Sequence, residues 1–332
     1  MERLGFGKIP IKVLGKTVLR MTGVTSARLL TGPNPGVDFA AVKVDGGYMI
    51  VSSDPITGVS SGIGEYAVVV SANDVATSGN APQFMESIIM MPEDSTSKTL
   101  GRLAADMDAA AKRLGISVVG GHTEVTPGLK RPIVVVTAFS FVRSFVSSEM
   151  ATAGDAILMT KTAGLEGTAV LAREARRLRR PLPSRLASDA VVLEKELSIV
   201  KEATAGFSSG HVHAMHDCTE GGVVGAAYEM SLASGLGFEL YEEDVPVARV
   251  TREVCRRFSL DPLRLIGSGS LLIAVPESEQ GAAARAIGKV AEVTRVGRFR
   301  KRGRFLVRAD GKRETVGEAP ADELWRALGR SR

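Results

Sequence analysis

Five short stretches of the chain place a carboxylate or amide side chain beside glycines, strand ends or helix starts: residues 36–38, 52–55, 73–74, 120–124 and 217–222. Carboxylates brought together repel one another and raise one another's pKa, and a hard cation removes that penalty. Mg²⁺ typically takes one or two carboxylates together with water and substrate phosphates. Glycines beside them let backbone N–H groups approach phosphate oxygens. A lone aspartate after a strand is most often a turn former, so the pattern indicates a magnesium–phosphate site only if these loops meet in space.

The elements that must position these residues form two α/β halves, and we expect a boundary near residue 150, between domains 1–150 and 151–332. In the first half the pattern predicts strands at 40–44, 48–52, 85–91, 116–119 and 133–141, a helix at 65–78, and a helix capped by Ser95 that ends at Gly115. Asp54 and Glu124 then follow strands and Asp38 precedes one. Residues 120–124 are expected to form a loop.

The second half repeats the alternation of strands and helices. It predicts strands at 156–159, 212–215 and 271–275, helices at 167–178, 188–203, 223–234 and 276–290, two basic strands near 295–305 and a last helix. The 217–222 stretch then joins a strand to a helix, where a helix N-terminus favours anions.

Charge and composition narrow the class of protein. The 332 residues carry a formal net charge of +5, concentrated at 173–185 and 295–304. Nucleic acid is one interpretation of such runs, but a solvated turn at residues 301–303 is the simpler one, because few aromatics interleave with the bases. A basic surface also suits phosphate-bearing substrates.

Other sequence features bear on location and on metals. No apolar run approaches the ~20 residues of a membrane span, and two isolated cysteines, Cys218 and Cys255, fit the cytoplasm. Three Asn and two Gln among many Arg are typical of heat-adapted, thermophilic proteins. His211, His213 and His216 lie close together and would suit either a transition metal or a solvated strand end. His122 is the better candidate for contact with nucleotide or substrate.

In order along the chain, the motifs resemble the aminoimidazole ribonucleotide (AIR) synthase superfamily, which has a PurM-like fold. The segments that carry the resemblance are residues 32–33, 38–42, 53–58, 72–82, 120–125, 164–169, 217–222 and 267–274. The run from Asn73-Asp74 to Ala81-Pro82 is the most specific of them, and the likeness is greatest to proteins related to the hydrogenase maturation protein E. The resemblance implies an α/β (α+β) fold with an N-terminal domain that contributes strands to a dimeric β-barrel flanked by helices, and a C-terminal α/β domain. It also implies ATP, held with Mg²⁺ in a cleft at the interface of a homodimer.

The resemblance also implies roles for individual residues. Asp38, Asp54, Asp74 and Glu124 would hold Mg²⁺, and Asp54, Asp74 and Asp217 would act in catalysis. Nucleotide and substrate would be bound by Lys8, Asn73, Gly120, Gly121, His122, Thr123, Thr219 and Gly221. Some family members place the acidic residue of the glycine pair where His122 stands, which leaves the division of roles between His122 and Glu124 open. Lys8 would belong to a glycine-rich segment that closes over ATP, or to a frayed terminus.

The departures from family patterns keep several functions open. The sequence ends without the cysteine that carries a carbamoyl group in the hydrogenase maturation protein. An ATP- and Mg²⁺-dependent enzyme that phosphorylates or activates an oxygen of a small substrate is the first hypothesis. The alternatives are a non-catalytic nucleotide-binding partner in metalloenzyme maturation, a small-molecule kinase like thiamine-monophosphate kinase, and, less favoured, a nucleic-acid-binding protein.

Overall fold

Two mixed sheets, each covered by helices, build the chain. The computed structural model describes residue 4, residues 7–57 and residues 62–329. The first sheet has six strands in the order β1-β2-β3-β6-β4-β5, in which only the β4–β5 pair is parallel. Its strands are β1 Leu29–Thr31, β2 Ala40–Val44, β3 Gly47–Ile56, β4 Phe84–Met91, β5 Ser117–Val125 and β6 Ile133–Val142. The sheet is open within one chain, so the predicted barrel is not formed by this sheet alone.

The helices described in the first half of the chain are α1 Ile11–Leu14, α2 Ile63–Ala76 and α3 Ser97–Leu114, and Ile11 of α1 packs against the core of the second half. Almost every residue of α2 is buried, because it lies between the sheet and α3. The amphipathic α3 buries Leu103 and Met107 and exposes its polar face. Its N-cap is Thr96, which accepts a hydrogen bond from the Thr99 N–H at 3.2 Å, so the predicted cap at Ser95 was wrong by one residue.

The second sheet has seven strands in the order β13-β12-β9-β11-β7-β10-β8, in which only the β9–β12 pair is parallel. Its strands are β7 Ala156–Thr160, β8 Ala214–Asp217, β9 Gly237–Tyr241, β10 Leu271–Val275, β11 Val293–Arg300, β12 Arg304–Val307 and β13 Arg313–Thr315. Strand β10 is fully buried at its predicted position. The basic strands β11 and β12 do not form a hairpin, because β9, which the pattern did not reveal, lies between them.

The helices of the second half are α4 Leu165–Glu174, α5 Ser184–Val192, α6 Val200–Ser208, α7 Gly222–Ala233, α8 Arg249–Phe258, α9 Gln280–Ile287 and α10 Glu323–Ala327. The helix predicted over 188–203 is two helices, because a 3₁₀ turn at Leu193–Glu196 and non-helical backbone at Ile199 separate α5 from α6. None of the helices in the described part of the chain combines the length and apolarity needed to cross a membrane.

A largely buried lysine fixes a loop of the second half of the chain. The Lys161 ammonium donates to the carbonyls of Glu196, Ser198 and Gly269 at 2.7–2.9 Å and pairs with the Glu202 carboxylate at 2.6 Å. The same loop meets α2, because the Asn73 amide donates to the Leu197 carbonyl. A fully paired buried cation fixes geometry more than it adds stability. Lys161 therefore fixes the loop, and Asn73 ties that loop to the helix that carries Asp74.

Candidate functional site

A buried cluster of carboxylates forms where the two halves meet. Asp217 is the last residue of β8, Asp38 immediately precedes Phe39 and β2, and Asp74 lies in the last turn and a half of α2. The side chains of Asp38 and Asp217 are 9% and 1% exposed. One atom each of Asp38, His216 and Asp217 lies within 4.8 Å of the other two. The fold thus brings together acidic residues that are far apart in the sequence.

His216 connects this cluster to the carboxylate of Glu229. Its Nδ1 lies 2.7 Å from Asp38 Oδ1 and its Nε2 lies 3.0 Å from Glu229 Oε2. Burial lowers the pKa of the imidazole, but the two carboxylates outweigh burial and raise it to about 10. His216 is therefore an imidazolium at neutral pH, with both ring nitrogens donating to carboxylates.

Lys8 completes the charge network from the N-terminal segment. Its ammonium lies 3.1 Å from Glu229 Oε1 and 3.3 Å from the Thr219 hydroxyl, and its backbone N–H donates to Glu220 at 2.7 Å. Burial raises the pKa of Glu229, but Lys8 and His216 outweigh burial and lower it to about 2. Glu229 is thus an ionised bridge between two cations. Gly5 and Phe6, which precede Lys8 in the predicted closing segment, lie outside the described residues.

In contrast to Glu229, the carboxyls of Asp217 and Asp74 have raised pKa values. Burial, followed by repulsion from Asp38, raises the pKa of Asp217 to about 8. One Asp217 oxygen, Oδ2, is buried and has no hydrogen-bond partner among the described residues. Burial, followed by the charge of Asp54, also raises the pKa of Asp74 well above its usual value, although Ser52 donates to its Oδ2 at 2.7 Å. Unpaired buried carboxylates cost free energy, and a bound cation would offset that cost.

The predicted site residues divide into two groups in the structure. Asp38, Asp74 and Asp217 lie together, and Asp54 interacts directly with Asp74. Lys8 adjoins them through Glu229, and the Thr219 hydroxyl contacts Lys8. Asn73 does not face this cluster. It is fully buried, its amide donates to the Leu197 carbonyl at 2.8 Å, and its oxygen accepts from the Ile199 N–H at 3.0 Å. The Asn73 side chain therefore fastens two parts of the fold instead of reaching a phosphate.

Gly221 also serves the fold. It is the N-cap of α7 with φ +81°, and its N–H donates to Asp322 Oδ2 at 2.7 Å. A Cβ at Gly221 would approach Pro320 at 3.1 Å and would require the left-handed conformation that favours glycine. The predicted contact of Gly221 with substrate is not supported by this geometry, because its donor is occupied.

Residues 120–124 form part of strand β5, not the expected loop. They pair in parallel with β4 from Glu86 to Met90, and all of them are exposed. Gly121 is required because a Cβ there would lie 2.1 Å from the Ser87 carbonyl oxygen. Within one chain, Glu124 bonds to His122 at 3.0 Å and Thr126 at 2.8 Å, and not to the cluster.

The three clustered histidines bond to different carboxylates and do not converge on one point. His211 bonds to Glu279, His213 bonds to Asp155 at 3.0 Å, and His216 bonds to Asp38 and Glu229. Glu229 was not identified from the sequence, and His216 was considered there only as a metal ligand or a solvated strand-end residue. One signal was available, because Glu229 is the single charged residue of the apolar helix α7.

The same fold and motifs occur in known proteins. The chain matches the AIR synthase related protein N-terminal domain over residues 36–142 and the C-terminal domain over residues 152–310. The chain belongs to the AIR synthase-related family. The resemblance of its motifs to that superfamily is thereby confirmed.

Named AIR synthase-related proteins include carbamoyl dehydratase HypE of Escherichia coli (strain K12). It is 30% identical over 248 residues, which are 72% of this chain and 71% of that protein. Among solved structures, the HypE–HypF complex has a TM-score of 0.76 at 22% identity and covers 92% of this chain and 99% of that one. HypE in complex with ATP has a TM-score of 0.67 at 21% identity, with 93% and 91% covered. AaThiL complexed with AMPPCP and TMP has a TM-score of 0.72 at 19% identity, with 93% and 94% covered. At these identities the likeness of the structures shows the PurM-like fold alone.

Proposed function

We propose that this AIR synthase-related protein is an ATP-dependent enzyme that phosphorylates or activates an oxygen of a small substrate. The observation that carries the proposal is the buried cluster of Asp38, Asp74 and Asp217, whose negative charges repel one another. One Asp217 oxygen in this cluster has no partner among the described residues. The relative HypE has been solved with ATP, and AaThiL with the nucleotide analogue AMPPCP. Both support a nucleotide at the corresponding site of this fold.

The donor set fits Mg²⁺. Carboxylate oxygens are the ligands that Mg²⁺ prefers, and the partnerless Asp217 oxygen supplies one that costs no existing bond. Asp38, Asp54, Asp74 and Asp217 would hold the ion, which would neutralise the carboxylates and the nucleotide phosphates. His216 does not fit as a ligand, because both of its nitrogens already donate to carboxylates.

The chain's own residues have distinct tasks in this reaction. Lys8 places a cation beside the cluster, where phosphate charge would enter, and Thr219 orients that ammonium. The substrate oxygen attacks the γ-phosphorus, a new P–O bond forms, and the bond to the β–γ bridging oxygen breaks to release ADP. When the attacking group is a hydroxyl, its proton passes to solvent as the new P–O bond forms.

The glycine strand β5 would contribute from a second copy of the chain. Gly120, Gly121, His122, Thr123 and Glu124 all lie on an exposed edge strand, and the adjoining outer face of the sheet is apolar. On that face, Phe84 and Phe139 stack at 5.5 Å, Phe139 meets Phe141 at 6.2 Å, and Ile88 and Phe141 are 44% and 50% exposed. A homodimer that pairs these faces would bury them and close the barrel. The nucleotide-binding role of β5 rests on this dimer.

The dimer makes a testable prediction. Phe141→Glu places a charge in the apolar face, so we expect the protein to become monomeric and to lose most of its affinity for Mg·ATP. Size-exclusion chromatography with light scattering and titration calorimetry measure the two effects. Val290→Glu, at an exposed apolar residue that follows α9, is the matched control and should leave both unchanged. A wild-type protein that is monomeric at micromolar concentration contradicts the dimer.

A second function has support in the names of the relatives. HypE proteins act in hydrogenase maturation, and HypE has been solved with HypF. A nucleotide-binding partner in the maturation of a metalloenzyme would bind ATP without turning it over. Both cysteines of this chain are buried, so neither offers an accessible thiol within the described residues.

Calorimetry with Mg·ATP, followed by an assay of ADP release with a panel of small hydroxyl and carboxylate acceptors, tests the proposed function. Acceptor-dependent ADP release supports the enzyme. Binding without release under every acceptor favours the maturation partner. The absence of heat at high micromolar Mg·ATP contradicts both.

A further inference from the structure

An arginine-lined groove lies between α5 and α8, in the half of the chain that follows the first sheet. It has a volume of about 800 Å³ and is open to solvent. Arg185 lies on α5, and Arg249, Arg252, Arg256 and Arg257 lie on α8. Leu186 and Val250 form a partly buried apolar floor. None of these residues belongs to the carboxylate cluster described above.

The groove has more positive charge than its own acids can neutralise. Its lining carries five arginines and two carboxylates, Asp189 and Glu253. Glu253 accepts from Arg256 at 2.9 Å and from Arg257 at 2.8 Å, so one carboxylate serves two guanidinium groups. In the described part of the chain, no hydrogen bond or ion pair is formed by Arg185 or Arg249. Two exposed guanidinium groups from different helices therefore line the groove without a partner among the described residues.

The excess of positive charge continues beyond the groove, onto the residues that follow α4. Arg176, Arg179 and Arg180 are exposed there, and the Arg180 guanidinium lies 5.7 Å from the centre of the Phe258 ring at the end of α8. The other basic surface of the chain is different, because Arg298, Arg300 and Arg313 all donate to the buried Glu239. Those arginines hold the second sheet together, whereas Arg185 and Arg249 of the groove have no partner among the described residues. Uncompensated like charges repel, so an anionic partner would relieve the repulsion.

The chemistry of the lining selects the kind of anion. A guanidinium presents a planar fork of donors that matches a carboxylate with two hydrogen bonds, and arginine clusters recognise acidic peptide motifs. Single-stranded nucleic acids, by contrast, are usually held with aromatic side chains on which bases stack, and the groove lining has none. We propose that the groove between α5 and α8 binds an acidic segment of a partner protein, with Arg185 and Arg249 as its principal contacts.

Fluorescence anisotropy with a short fluorescein-labelled oligoglutamate peptide at low ionic strength tests the proposal. The variant Arg185→Glu/Arg249→Glu should bind the peptide at least about tenfold more weakly than wild type, because two charge-assisted contacts become repulsive. The control Arg102→Glu/Arg285→Glu makes the same change in net charge on the exposed surfaces of α3 and α9, and should retain near wild-type binding. Thermal melting by circular dichroism checks that both variants are folded.

Three results would overturn the proposal. The first is a wild-type protein that does not bind oligoglutamate at low salt. The second is an equal loss in the groove variant and the control, which would show an effect of net charge alone. The third is a labelled single-stranded DNA of equal charge that binds more tightly than the peptide and depends on the same two arginines, which would assign the groove to nucleic acid.

Discussion

Asp54→Asn is expected to weaken the binding of Mg·ATP at least about a hundredfold, because the substitution removes a proposed carboxylate ligand of the cation that lies beside Asp74. Asp54 is only partly buried, near the end of β3, so the substitution should leave the fold intact. Titration calorimetry with and without Mg²⁺ measures the loss. Binding of ATP in the absence of Mg²⁺ should differ much less between the variant and the wild type.

The matched control for Asp54→Asn is Asp108→Asn. Asp108 is a 59% exposed aspartate on α3 that pairs with Lys112 at 2.7 Å and takes no part in the proposed site. Removal of an exposed i,i+4 pair costs only about 0.5 kcal/mol of stability and should not change nucleotide affinity. An Asp54→Asn protein that binds Mg·ATP like the control would remove Asp54 from the proposed site.

Much of this site could be predicted from the sequence because its acidic residues lie at element ends. Aspartates beside β2, in β3, in α2 and at the end of β8 were recognised from their order along the chain, and the fold brings Asp38, Asp74 and Asp217 together. Strand β10 was predictable because a short run of apolar residues has few alternatives. These features depend on the types of residues that are neighbours along the chain, so they can be predicted from the sequence alone.

The features that the sequence did not reveal depend on long-range pairing. Residues 120–124 look like a loop because glycines interrupt them, yet β4 provides a parallel neighbour that extends β5 through them. Asn73 looks like a phosphate ligand because it precedes Asp74, yet on a buried helix adjacent residues point in different directions. His216 and Glu229 meet only because α7 packs beside β8. No local pattern encodes such contacts.

The raised pKa of Asp217 predicts that the free energy of unfolding depends strongly on pH. The folded-state pKa is about 8, whereas an aspartate in the unfolded chain has a pKa of about 3.9. Between these values the folded state holds a proton that the unfolded state has lost, so this group makes stability fall as the pH rises from about 4 to about 8. The physical cause is burial of the carboxylate, with Asp38 as its nearest like charge.

Asp217→Asn removes this titration, so in EDTA the variant should be as stable as wild type near pH 4 and more stable, by about 2–5 kcal/mol, above pH 8. Urea unfolding across this range measures the difference, and Asp94→Asn, an exposed aspartate, should show no such trend. Mg·ATP should reverse the order at pH 8, because it stabilises the wild type through the carboxylate that the variant lacks. A variant less stable than wild type at pH 8 in EDTA would mean that Asp217 is satisfied within the fold, and the case for a cation at this cluster would then fail.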